Sequence, residues 1–84
     1  MPNPLDPLGI FDAAKRDAQR MRFYGDLVRS MREEEEATRV YRERAARAAA
    51  AGDTTSAELW RHIAQEEDDH RTSFLARIAQ VYGG

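Results

Sequence analysis

The chain has 84 residues, 42% apolar and 33% charged, with thirteen basic side chains against fifteen acidic ones for a net charge of −2. A chain this short reaches useful stability through disulfides, a metal or a partner subunit, and the lack of any cysteine excludes disulfides and thiolate-held metals. The balanced charge leaves no electrostatic footprint for nucleic acid or anionic lipid, and no apolar run approaches the roughly 18 residues of a membrane span.

The N-terminus, MPNPLDPLGIF, lacks the charged-then-apolar layout of a signal peptide, so the expected compartment is the cytoplasm. Pro2, Pro4 and Pro7 make residues 1–9 an extended arm, because proline removes donors and bars the preceding residue from helix. From Ile10 to Ala51 only Gly25 interrupts a helix-favouring mixture of Ala, Arg, Glu and Met. An unbroken helix there would be near 60 Å long, at about 1.5 Å per residue, so a break is expected near Gly25, leaving roughly 10–23 as a shorter N-terminal helix with Asp26 capping the next; a continuous helix is the alternative.

Gly52-Asp53-Thr54-Thr55 is the interior turn: glycine closes the first helix in the left-handed conformation, and Asp53 or Thr54 caps the next. The second helix is expected from about Thr55 to Val81, followed by a tail at 83–84. Apolar residues nowhere alternate over four or more positions, so no strand is expected. The fold class is all-α: an antiparallel helical hairpin with an N-terminal arm, one domain over 10–82.

Each helix carries an apolar stripe with a carboxylate at its centre. On the second helix Ala57, Trp60, Ile63, Ala64, Phe74, Leu75, Ile78 and Val81 recur at three- and four-residue steps, and the stripe passes through Glu67 and His70 or Arg71. The opposite face, with Glu58, Arg61, Gln65, Asp68, Asp69 and Thr72, is polar enough to meet water, so Glu67 is not turned inward for want of a polar face. On the first helix Leu27, Met31 or Ser30, Glu34, Ala37 or Thr38, Tyr41, Ala45 and Ala48 form the stripe, and the spacing selects Glu34 from the run Glu33–Glu36.

Two glutamates at mid-height of two core faces call for a compensating cation, and in an acidic chain a divalent metal is the economical one. His70 follows Glu67 by three residues, one turn along the same side. A Glu plus a Glu-x-x-His, each supplied twice, is the ligand set that helical bundles use for di-iron and di-manganese sites. This sequence supplies the set once. A homodimer, or a higher even-numbered oligomer built on one, supplies the second copy and completes a four-helix bundle with the metals beside the two-fold axis.

These residues resemble the ferritin-like superfamily, especially bacterioferritins, rubrerythrins and the small half-ferritins carried as cargo in encapsulin shells. The resemblance covers roughly Leu27–Ile78 and rests on Glu34, Tyr41 seven residues later, the Gly52-Asp53 break and the string Ile63-Ala64-Gln65-Glu66-Glu67-Asp68-Asp69-His70. It implies iron as the cofactor, with Glu34 a terminal ligand, Glu67 a bridging ligand, His70 a terminal nitrogen ligand and Tyr41 hydrogen-bonded near them. It also implies oxidation of Fe(II) by O2 or peroxide, with peroxide reduction or a manganese centre as variants of the same fold.

The sequence departs from that pattern in several places. It carries one half of a ferritin bundle, it lacks the cysteine-ligated iron domain of rubrerythrins, and Arg71 stands where the family often has a small residue after the histidine. The arm Leu5-Asp6-Pro7-Leu8-Gly9-Ile10 has the small-and-aliphatic look of a shell-docking peptide but lies at the opposite end from the usual one.

The competing reading is a non-enzymatic helical module whose stripes serve self-association or docking alone. His62 is expected to be a surface histidine, Glu66 belongs to the solvated face with an alternative role as a ligand beside Glu67, and Arg39, Arg42 and Arg44 can pair with the Glu33–Glu36 run. Trp60, Phe74, Tyr82, Met21 and Met31 are expected in the core or a dimer interface.

Overall fold

The computed structural model describes residues 9–83. Two antiparallel helices make up nearly all of it: α1 over Ile10–Ala50 and α2 over Thr54–Tyr82. Residues 1–8 of the expected arm, with any docking role for it, and Gly84 of the tail lie outside the described residues. No helix among the described residues is long and apolar enough to cross a membrane.

The expected break near Gly25 is absent, and α1 runs unbroken for 41 residues, about 62 Å. One glycine costs a helix only about 1 kcal/mol relative to alanine, and the neighbouring Arg, Met, Leu and Ala residues offset it. Positive φ is confined to Gly9 and Gly52 among the described residues.

Gly52 does reverse the chain. With φ 79° it donates to the Ala49 carbonyl at 3.0 Å, and the Asp53 N–H donates to the Ala48 carbonyl at 2.9 Å, the paired bonds that close a helix through a left-handed residue. Asp53 then caps α2 by accepting from the Ser56 backbone N–H at 3.0 Å.

The helices meet along a narrow seam of small residues. Thr38, Ala45, Ala57 and Ala64 are buried, and among the described residues no large side chain is fully buried. Leu27, Met31, Tyr41, Trp60, Ile63, Phe74 and Ile78 flank this seam half-buried. One expected stripe member, Leu75, and one expected packing residue, Met21, lie outside it. Leu75 is 40% exposed, one position beyond Phe74 and so about 100° further round the helix. Met21 is 75% exposed, one position beyond the Arg20 that α2 contacts. The radius of gyration is 20.7 Å, against about 12 Å for a compact chain of this length, so a single hairpin is a rod with its larger apolar side chains only partly covered.

At the open end, Arg20 donates to the Val81 carbonyl at 3.1 Å and lies over the Tyr82 ring, while Tyr24 meets the same ring edge-on. This clasp and the Gly52 turn fix the register between them, and the candidate site lies midway.

Candidate metal centre

The structure brings Glu34 of α1 together with Glu67 and His70 of α2. One ligand-capable atom from each lies within 4.8 Å of the others. His70 Nδ1 is 3.7 Å from Glu34 Oε2 and 3.8 Å from Glu67 Oε2. These distances exceed a hydrogen bond and leave room for a shared cation. The three-residue step from Glu67 to His70 puts both on one side of α2, and the antiparallel register brings Glu34 opposite them.

The two carboxylates are about three-quarters shielded, at 23% and 24% side-chain exposure, whereas His70 is 59% exposed. Glu34 Oε2 is buried without a hydrogen-bond partner among the described residues. A buried carboxylate oxygen is an acceptor only and costs free energy if left unsatisfied. Two carboxylate oxygens and an imidazole nitrogen form a donor set suited to first-row divalent metals, so these residues fit a metal ion. Below Glu34, Thr38 donates its hydroxyl to the Glu34 backbone carbonyl at 2.8 Å and thereby satisfies its own buried oxygen.

Tyr41 stands two turns nearer the hairpin turn. Its ring stacks on Trp60 with centroids 5.6 Å apart and planes at 12°, and the Arg44 guanidinium lies over both rings at 5.4 and 5.1 Å. Arg44 thus meets aromatic faces rather than the glutamate run. Arg39 takes that role: it pairs with Glu36 and, at 2.6 Å, with Glu43. Its hydrogen bond and charge hold the Glu36 carboxyl below the ordinary range, and Glu36 in turn raises the guanidinium. His62 and Glu66 pair with each other at 2.7 Å on the exposed side of α2, apart from the cluster.

One group on the expected polar face behaves otherwise. Asp68 is 28% exposed and accepts from Arg71 Nε at 3.1 Å, and Arg71 Nη1 lies 3.8 Å from Glu35 Oε1 of α1. Periodicity offered Arg71 as the alternative to His70 on the α2 stripe but did not single out Asp68 or Glu35, although each of the three directly follows one of the candidate ligands in sequence.

A model of the rubrerythrin family matches residues 26–84. Comparison with curated proteins gives no match, and neither does comparison with solved structures. The matched span begins just after Gly25 and takes in Glu34, the hairpin turn and the Glu67-x-x-His70 step. The chain belongs to the rubrerythrin family, within the ferritin-like superfamily.

Proposed function

We propose that two copies of this chain associate along the face carrying Glu34, Glu67 and His70, complete a four-helix bundle, and oxidise Fe(II) with O2 at a di-iron centre shared between them. The observation that carries this reading is the buried, unpartnered Glu34 Oε2 beside Glu67 and His70. Membership of an iron-binding family supports iron as the ion. The need for a second copy comes from the ligand count: these residues supply one glutamate and one Glu-x-x-His, and such bundles use each twice. The half-covered Leu27, Tyr41, Ile63 and Phe74 flank the cluster, and covering them is the favourable term for association.

In this reading Glu34 and His70 would be terminal ligands and Glu67 the ligand shared between the two ions, and the Tyr41 hydroxyl would hydrogen-bond the carboxylates once the second copy is in place. As substrate, each of two Fe(II) ions gives up one electron, and O2 takes both with two protons to leave as hydrogen peroxide. The protein's share is to hold two carboxylates and an imidazole in place and leave positions open for the oxidant.

The deciding experiment is an anaerobic Fe(II) titration of metal-free protein with oligomer mass recorded throughout, followed by admission of air. Saturation near one iron per chain, a metal-strengthened dimer and rapid oxidation are expected. Absent binding with unchanged mass overturns the reading in favour of a helical interaction module.

A further inference from the structure

Glu35, Asp68 and Arg71 each follow a candidate ligand by one position, and the structure joins them as it joins the ligands. Arg71 Nε donates to Asp68 within α2, and Arg71 Nη1 reaches across to Glu35 on α1. One residue turns a helix by about 100°, so this second trio lies at the height of Glu34, Glu67 and His70, on the adjoining side of the same two helices. Arg71 and Asp68, at 31% and 28% exposure, are nearly as shielded as the ligand carboxylates. We propose that Arg71 is a positioning residue for the metal centre: by linking α1 to α2 through Glu35 and Asp68, it keeps Glu34 facing Glu67 and His70 before any cation arrives.

The need for such a link comes from charge. Without a cation, Glu34 and Glu67 set two shielded carboxylates from opposite helices within 4.8 Å of each other, and their repulsion drives the helices apart where the ligands must meet. The planar guanidinium is always charged and serves two carboxylates at once, so Arg71 opposes that repulsion from just beside the centre. Its Nε donates to Asp68 and its Nη1 lies 3.8 Å from Glu35 Oε1, so the guanidinium is turned to that side, and Glu34 Oε2 has no hydrogen-bond partner among the described residues. The clasp at Arg20 and Tyr82 lies at the far end of the hairpin, fourteen residues before Glu34 on α1.

This inference rests on reading Glu34, Glu67 and His70 as a metal centre, and the test separates the two. Metal-free full-length wild type, Arg71→Ala, Arg71→Lys and Glu35→Gln are titrated with Co(II), followed by visible absorption, alongside thermal unfolding of each metal-free chain. Arg71→Ala and Glu35→Gln are expected to weaken Co(II) binding on the order of tenfold and to alter the ligand-field bands. Their metal-free Tm should change by only a few degrees, because a partly exposed ion pair contributes little to stability. Arg71→Lys, which keeps the charge but loses the fork, restores part of the affinity. Equal affinity and spectrum in wild type and both Arg71→Ala and Glu35→Gln overturns the role of Arg71 alone. So does a loss of affinity fully accounted for by unfolding of the metal-free variants. Absent Co(II) binding by the wild type overturns the metal centre itself.

Discussion

Glu34 Oε2 and His70 Nδ1 face each other 3.7 Å apart across the gap between the two helices, and the carboxylate is far more deeply shielded than the imidazole. That asymmetry gives the two residues different roles in the metal-free protein. Glu34 carries a cost that a cation removes, whereas His70 lies mainly in solvent and costs little to leave unligated. Substitutions at the two positions should therefore agree in the presence of metal and diverge without it.

Glu34→Gln removes the buried charge while keeping the shape, and its amide can donate toward Glu67. The metal-free variant should gain about 1 kcal/mol, a rise in Tm of several degrees, while added Fe(II) or Co(II) should no longer raise Tm at all. Calorimetry with and without chelator checks both halves. A variant that is less stable than wild type when metal-free contradicts the assignment of Glu34 as an unsatisfied ligand.

His70→Ala should leave the metal-free Tm within about a degree, as expected of a mostly exposed side chain. In the wild type, metal at a hundredfold excess over Kd should stabilise by about 2.7 kcal/mol, and a chelator should reverse it. In His70→Ala that response should shrink sharply. A full metal response in the variant would place the binding elsewhere on the chain.

Glu34 and Glu67 are legible in the sequence because each interrupts an apolar stripe where a hydrophobic residue belongs, and periodicity on one helix is enough to expose that. The turn is legible for an equally local reason: the left-handed backbone at Gly52 and the capping oxygen of Asp53 are properties of single residues. Gly25 misleads because a helix adds up propensity over its whole length, so one weak position does not cut it. Leu75 is misplaced because its exposure depends on how wide a strip the partner helix covers. The Arg71 link to Glu35 depends on the rotation of two helices about each other, which neither helix's own pattern records. The second copy of the ligand set is part of the proposal, and it is argued from ligand count alone.

Asp53 couples stability to pH. The Ser56 hydroxyl, and then the Ser56 backbone N–H, hold its carboxyl below the ordinary range in the folded chain. A depressed folded value means that the stabilisation is present above the unfolded value of about 3.9 and is lost as pH falls through the folded one. Asp53→Ala should lower Tm at neutral pH by a few degrees, and the gap from wild type should close on acidification below that range. Asp53→Asn should keep most of the cap and lose its share of the pH dependence. Thermal melts of the three proteins from neutral to acidic pH decide this, and a gap that stays constant with pH rules out the carboxylate as its source.

Gly25 offers a test of the continuous α1. The residue is helical with no positive φ, and a methyl group built on it meets no atom within 4 Å. Glycine therefore brings no steric benefit here, while its freedom in the unfolded chain costs stability. Gly25→Ala should stabilise by about 0.5–1 kcal/mol, through reduced unfolded-state entropy and better helix propensity. For a chain of this size that is a rise in Tm of several degrees. Metal affinity should not change, because Gly25 lies more than two helical turns before Glu34 and the substitution adds no contact near it. Chemical denaturation should show a higher midpoint at constant slope. A destabilised Gly25→Ala would mean that α1 bends at this position in solution and that the alanine resists the bend, which would restore the break the glycine first implied.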